Sequence, residues 1–237
     1  MAKDFLRQPK IYSAPKDQKG FVMPKYLKVI IWLILLLLGL IYLFCYSPVF
    51  KIKNIQIVGQ PKEESINYLE EFKNKNIFTL KTEPIKEKIF FENPEYKDIK
   101  ILKGIPSTLR VVFETRTPKI VWITKSISYL VDANGILFGK DSSETNLVKV
   151  MDKKEIVVVI PSQVATQNFI NFVISAQGQI ENYKDFKVDH FEINETTFQV
   201  EAITNKKIKI IFDTTRSLTD QMDAFRKVFD EKSAEIT

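Results

Sequence analysis

The chain has little of the residue types from which many active sites are built. It has 237 residues but one cysteine, Cys45, and one histidine, His190. One cysteine forms no intrachain disulfide, so the fold must be held by packing alone. A single histidine gives metal clusters of the His and Cys type, Ser-His-Asp catalysis and Cys-His catalysis little to build on. The seven scattered glycines form no phosphate-cradling loop, and with ten prolines they predict few long linkers beyond the N-terminal tail.

One long stretch lacks charge altogether. Residues Val29 to Tyr46, VIIWLILLLLGLIYLFCY, include no charged side chain, and a helix of that length reaches about 27 Å at ~1.5 Å per residue. A buried helix of a soluble protein would carry a polar stripe. A cleaved signal peptide would end in a small-x-small pattern, which LFCYSPVF lacks. We therefore predict an uncleaved membrane-spanning helix over residues 29–46.

Positive charge is concentrated before this run. Residues 1–28 carry seven Lys or Arg against two Asp, whereas residues 29–237 have a net charge of only +1. The positive-inside rule keeps this basic tail in the cytoplasm and sends the C-terminal part across the membrane. The basic balance is therefore a topology signal and does not indicate a nucleic-acid partner.

The next seventy or so residues alternate between strand and helix patterns. A strand is predicted in FKIKNIQIVG, helices in PKEESINYLEEFKN and TEPIKEKIFF, and two strands in YKDIKIL and TLRVVFETR. Thr82 is expected to cap the second helix, with Pro84 in its first turn. The order β-α-α-β-β predicts a small α+β domain over residues 50–118, with two helices on one side of a three-stranded sheet.

Residues 119–237 have a mostly β-rich pattern. KIVWI is a predicted strand, ISYLVDANGILF is a predicted hairpin turning at Asn134 and Gly135, and TTFQVEAIT with KKIKIIFD is a second hairpin. The apolar run IVVVI precedes Pro161. Helices are predicted in QNFINFVISAQGQI and after Ser217, which forms a capping-box pattern with Asp220. The predicted class is α+β, with one N-terminal transmembrane helix and a mixed β-rich C-terminal domain.

Two motifs resemble those of the FtsQ/DivIB family of bacterial cell-division proteins. The matching residues are Pro106, Thr108, Leu109, Val111, Phe113, Arg116 and Pro118 of a P-x-T-L-x-V-x-V-x-E-R-x-P pattern, with Thr115 where Glu is usual, and Leu130, Val131, Asp132, Gly135 and Phe138 of L-V-D-x-x-G-x-x-F. The resemblance covers residues 29 to about 140, and the remainder by element order only. It implies that residues 50–118 are a POTRA domain. It also implies one or two strands after the final helix; because the sequence ends in SAEIT, we expect either that it is a fragment or that the last strand is missing.

The resemblance implies a role without catalysis. The expected protein is a divisome scaffold that links septal proteins and helps to regulate septal peptidoglycan synthesis, with no cofactor and no small-molecule substrate. The implied partners are the bilayer and the short coiled-coil membrane proteins of the FtsB/DivIC and FtsL type. The implied location is the plasma membrane at the division septum, with the C-terminal domains in the periplasm or extracellular space. The alternatives are a membrane-anchored cell-envelope enzyme and a POTRA chaperone module of a secretion or outer-membrane assembly system.

Few single residues invite a chemical role. Asp132 lies in a tight turn, where aspartate is favoured for capping backbone amides, and His190 is expected to be incidental at a strand start. Strand edges remain as binding surfaces, and the arms of the second hairpin are the nearest candidates, with core packing as the alternative. The candidate partner-binding residues are Phe198, Val200, Ile208, Ile210 and Phe212.

Overall fold

The computed structural model describes residues 23–141 and 146–235, with side chains to residue 232. It has an α+β fold with one long apolar helix at its N-terminal end and two β-sheets, as the sequence predicts. The first 22 residues of the predicted basic tail lie outside the described residues.

The first helix, α1 (Lys25–Tyr46), begins four residues before the predicted uncharged run, directly after Pro24. Its 22 residues span about 33 Å at ~1.5 Å per residue. None of them is buried by the rest of the protein. The helix is therefore long and apolar enough to cross a membrane.

The next five elements form a two-layered arrangement, in which two helices pack on one face of a small sheet. They are β1 (Asn54–Val58), α2 (Glu63–Glu70), α3 (Glu83–Glu92), β2 (Tyr96–Gly104) and β3 (Thr108–Thr115). The sheet order is β1-β3-β2, with β1 parallel and β2 antiparallel to β3. Leu69 of α2 and Ile85 and Ile89 of α3 pack against Leu109 and Val111 of β3. The predicted order β-α-α-β-β is confirmed, and we call residues 50–115 the α/β unit.

Three local details of this unit differ from the sequence-based prediction. The first strand begins at Asn54 because Pro48–Phe50 form a 3₁₀ turn and Lys51 meets Asn76 in a single bridge. The helix α2 ends at Glu70, before the predicted boundary. Thr82 stands at the N-cap of α3, but its backbone is already helical and its hydroxyl makes no capping bond.

The remaining residues form a larger sheet covered by helices. Its elements are β4 (Pro118–Thr124), β5 (Ile127–Asp132), β6 (Ile136–Lys140), β7 (Val148–Asp152), β8 (Ser162–Gln163), α4 (Gln167–Glu181), β9 (Val188–Ile193), β10 (Gln199–Thr204), β11 (Lys209–Asp213) and α5 (Leu218–Glu235). The eight strands lie in the order β11-β10-β9-β7-β4-β5-β6-β8. Both predicted hairpins, β5–β6 and β10–β11, are confirmed. The strands β7 and β8 were not predicted, and IVVVI forms no strand.

The core of this larger unit lies between the sheet and α4 and α5. The apolar face of α4 includes Phe169, Val173 and Ile180, all buried, and α5 adds the fully buried Met222. Half of the predicted capping box of α5 is present, since the Asp220 N–H donates to Ser217 Oγ at 3.4 Å. This core and that of the α/β unit are separate clusters.

Candidate partner-binding edge

The strand β11 lies at one end of the eight-stranded sheet. Within the part of the chain that the structure describes, no strand pairs with its outer side. Its register on β10 is fixed at both ends, because the Thr214 N–H donates to Phe198 O at 2.8 Å and the Thr204 N–H to Ile208 O at 3.1 Å. Bonded and non-bonded pairs alternate along an antiparallel ladder. The N–H and C=O groups of Ile211 therefore point away from β10.

A side chain of α5 occupies part of this outer edge. Gln221 Nε2 donates to Asp213 O at 2.9 Å, and the Asp213 N–H donates to Gln221 Oε1 at 2.8 Å. One amide side chain thus takes up both outward backbone groups of Asp213, as a neighbouring strand would. The outward groups of Lys209 and Ile211 are left for a further strand.

Two exposed apolar side chains flank the edge. Ile211 is 57% exposed and Phe198 is 65% exposed. Ile211 points away from the helices because its neighbours Ile210 and Phe212 point into the core. Both exposed side chains line a shallow surface pocket of about 580 Å³, together with Gln221. Exposed apolar side chains beside an open strand edge are the features that strand addition uses.

The five candidate residues predicted from the sequence differ in their burial in the structure. Val200, Ile210 and Phe212 are buried in the larger core, and Ile208 packs against it half-buried. Core packing, the alternative interpretation, therefore describes these side chains, because even-numbered residues of β10 and β11 face α4 and α5. Only Phe198 is open to a partner. The candidate surface is corrected to Phe198, Ile211 and the outer backbone of β11.

Sequence reasoning missed Ile211 and Gln221. The signal for Ile211 was present, because IKIIF breaks the strict alternation of apolar and polar residues and puts an isoleucine on the wet face. Gln221 carries no such signal, since its role depends on α5 lying beside the edge.

Charged side chains near the edge are paired. Lys209 Nζ lies 2.7 Å from Glu201 Oε2, and the hydrogen bond to Glu201 raises the pKa of Lys209. On β9, burial acts to raise the pKa of Glu192, but hydrogen bonds from Lys153 and His190 outweigh it and the pKa is lowered. His190 Nε2 lies 3.1 Å from Glu192 Oε1, inside β9. At β11 itself, Lys209 is thus ion-paired with Glu201 of the neighbouring strand β10.

Asp132 has the structural role that its turn predicts. Its Oδ1 accepts the N–H groups of Asn134 and Ile136 at 2.9 and 3.0 Å, and its Oδ2 accepts Arg116 Nη1 at 2.6 Å. Among residues 23–141 and 146–235, no group of three His, Cys, Asp or Glu side chains could hold a metal ion.

Comparison with known proteins assigns no family to the chain. No protein-family model matches it, and no curated protein sequence matches it either. The fold and the β11 edge are therefore the observations on which a function rests.

Proposed function

We propose that the protein is a single-pass membrane scaffold of the bacterial division septum that binds other septal membrane proteins by strand addition at β11. The observation that carries the proposal is the outer edge of β11, which no strand of the described residues covers, beside the exposed side chains of Ile211 and Phe198. In this proposal α1 is the anchor, the α/β unit is a POTRA domain, and both sheets lie outside the cytoplasm. The resemblance to the FtsQ/DivIB family motivates this assignment.

The edge of β11 is better suited to binding than the other sheet edges. The strand β8 has only two residues and offers few backbone groups. Lysines along an edge strand hinder strand pairing; β2 carries three of them, whereas β11 carries one, Lys209. The residues that blunt the other two edges are Lys97, Lys100 and Lys103 on β2 and the exposed polar Asn54 and Gln56 on β1.

The binding mode requires no chemical step. An extended segment of the partner would pair with the outward N–H and C=O groups of Lys209 and Ile211. Its alternate side chains would cover Ile211 and Phe198, and so bury apolar area that water now contacts. The resemblance makes membrane proteins of the FtsB/DivIC and FtsL type the partners. Joining them to the membrane-anchored chain would recruit them to the septum and help to regulate peptidoglycan synthesis there.

The substitution Ile211→Glu tests this mode. A carboxylate in the middle of the apolar contact should weaken binding by at least about tenfold, the usual minimum for a side chain that matters at an interface. Binding is measured by co-purification of the full-length chain with FtsB/DivIC-type and FtsL-type proteins from the same genome, and by a bacterial two-hybrid assay.

The matched control is Val157→Glu, which puts the same charge on a side chain that is 79% exposed and lies outside the strands. It should leave binding unchanged, and both variants should unfold at the wild-type temperature. If the unaltered full-length chain binds neither type of protein, the scaffold proposal fails. If Ile211→Glu binds as well as Val157→Glu, the edge is wrong and the scaffold role needs another surface.

A further inference from the structure

The last turn of α1 is hydrogen-bonded to the α/β unit through the side chain of Asn76. The C=O of Phe44 would ordinarily accept the N–H of residue 48, but that residue is Pro48. The N–H that Cys45 would use belongs to Val49 and donates to Ser47 Oγ instead, at 3.3 Å. Asn76 supplies the missing donors, since its Nδ2 donates to both carbonyl oxygens at 2.8 Å.

The orientation of Asn76 is itself fixed. Its Oδ1 accepts the N–H groups of Phe78 and Thr79, at 2.8 and 3.3 Å. Three aromatic rings pack beside these hydrogen bonds. Phe44 of α1 stacks on Phe50 with ring centroids 5.0 Å apart, and makes an edge-to-face contact with Phe78 at 5.6 Å between centroids. Phe50 and Phe78 also contact each other. These two rings therefore lie at the same depth as the last turn of α1.

Three segments of the α/β unit meet at this end. The strands β1 and β3 begin here and β2 ends here, because β1 is parallel and β2 antiparallel to β3. The Lys53 N–H donates to Ser107 O at 2.9 Å, and Lys103 Nζ donates to Leu80 O at 2.6 Å. Segments 47–54, 72–82 and 102–108 are thus one surface, which we call the α1-facing end.

The α1-facing end is basic and partly apolar. Its three segments hold six lysines, of which Lys73 is ion-paired with Glu70 just outside them, and no Asp or Glu, whereas the rest of residues 29–237 has more acidic than basic residues. Val49, Phe78 and Ile105 are apolar and are 53%, 40% and 67% exposed. Lysines around exposed apolar side chains, at the end of a helix that can cross a bilayer, match the interfacial region of an anionic membrane.

We propose that the α1-facing end rests on the bilayer surface, with its lysines on anionic phospholipid headgroups and its exposed apolar side chains among them. The α/β unit is then held at the membrane by its α1-facing end as well as by α1. This inference needs α1 to be embedded in the bilayer, but it does not need the septal role or the β11 edge.

The test reads where the turn at Ile105 lies in the full-length protein. On a Cys45→Ser background, a nitroxide is attached through Ile105→Cys, and in a second sample through Gln60→Cys. Gln60 is exposed and follows β1 at the opposite end of the sheet. The protein is reconstituted in vesicles of phosphatidylglycerol mixed with phosphatidylcholine, or of phosphatidylcholine alone. Accessibility to oxygen and to a water-soluble nickel chelate is measured by electron paramagnetic resonance.

In the anionic vesicles we expect the label at residue 105 to be shielded from nickel and accessible to oxygen, and the label at residue 60 to be open to nickel. The triple change of Lys51, Lys53 and Lys81 to Gln removes three exposed charges whose side chains make no hydrogen bond, ion pair or ring contact within the described residues. It should release the contact, since three lysines near an anionic surface amount to roughly a hundredfold in surface binding. Neutral vesicles should release it as well.

The matched control changes Lys119, Lys149 and Lys187 to Gln, three exposed lysines of the larger unit. It removes the same charge and should leave the label at residue 105 shielded.

Equal nickel accessibility at residues 105 and 60 in anionic vesicles would overturn the inference, and so would equal effects of the two triple variants. Flotation of the chain with vesicles reports insertion of α1 separately, and a chain that does not float also overturns it. If the protein binds no proposed partner but residue 105 is shielded, the septal-scaffold proposal fails and the inference about the membrane surface stands.

Discussion

At the scale of single residues, an ion pair between Arg116 and Asp132 links the two sheets. Arg116 follows β3, and its Nη1 donates to Asp132 Oδ2 in the larger unit at 2.6 Å, while its Nε donates to Pro94 O at 3.2 Å. The side chains of Arg116 and Asp132 are only 15% and 5% exposed. A buried pair adds little net stability, but the loss of one partner leaves the other charge buried and unmatched. The pair should therefore be sensitive to single substitutions.

We expect Asp132→Asn to lower the free energy of unfolding by about 3 kcal/mol, because it leaves the Arg116 guanidinium without its counter-charge. Thermal unfolding of the detergent-solubilised chain, followed by the fluorescence of the buried Trp122, measures the effect. Asp189→Asn, at an exposed position of β9, is the control and should change stability by less than about 0.5 kcal/mol. Equal unfolding temperatures for the two variants would show that the pair is dispensable.

At the scale of elements, local patterns predicted helices and hairpins well. The stripe of Phe169, Val173 and Ile180 defines α4, and the turn at Asn134 and Gly135 defines the β5–β6 hairpin. These signals lie within one short window of sequence. They could therefore be interpreted without knowledge of the rest of the fold.

Elements that depend on distant partners were missed. The five residues of β7 look unremarkable in sequence, and the strand exists because β4 and β9 flank it in parallel. IVVVI is more apolar but forms no strand; Val158 and Ile160 pack singly against the core, and Val157 and Val159 stay exposed. The open edge of β11 was equally hidden, since it follows from the order of all eight strands.

We expect Asn76 to hold the orientation of the α/β unit relative to α1. Asn76→Ala removes both N–H donors to the last turn of α1; because the bond to Phe44 O is exposed and the bond to Cys45 O only partly buried, the loss should cost about 0.5–1.5 kcal/mol per hydrogen bond. We expect the orientation of the unit relative to α1 to broaden. Electron-electron distance measurements between labels at Val29 and Gln60, in vesicles and on a Cys45→Ser background, should show a wider distribution.

The comparison variant for this junction is Asn54→Ala, an exposed asparagine at the start of β1. It should keep the wild-type width of the distance distribution. An unchanged width in Asn76→Ala would mean that the aromatic contacts of Phe44 with Phe50 and Phe78 hold the junction alone.

At the scale of the whole molecule, the described residues form three parts joined by short connections. Only Ser47 separates α1 from the 3₁₀ turn that enters the α/β unit, and only Arg116 and Thr117 separate β3 from β4. Each junction also carries side-chain hydrogen bonds, from Asn76 at the first and from Arg116 at the second. Short bonded junctions restrict the positions that the β11 edge can take above a membrane. A scaffold that must meet other anchored proteins would depend on that restriction.

Lengthening the first junction tests whether the restriction matters. A flexible Gly/Ser linker of about 12 residues between Ser47 and Pro48 would add a r.m.s. span of roughly 19 Å and release the α1-facing end from the last turn of α1. Under the proposed function, purified protein should still bind the proposed partners through β11, because that edge is untouched. In cells that depend on this protein, we expect fewer septa with recruited partner and longer cells, measured by fluorescence microscopy.

The same insertion between Lys125 and Ser126, in the exposed β4–β5 turn, should leave recruitment normal. Normal division with the linker after Ser47 would show that the short junction has no part in the function.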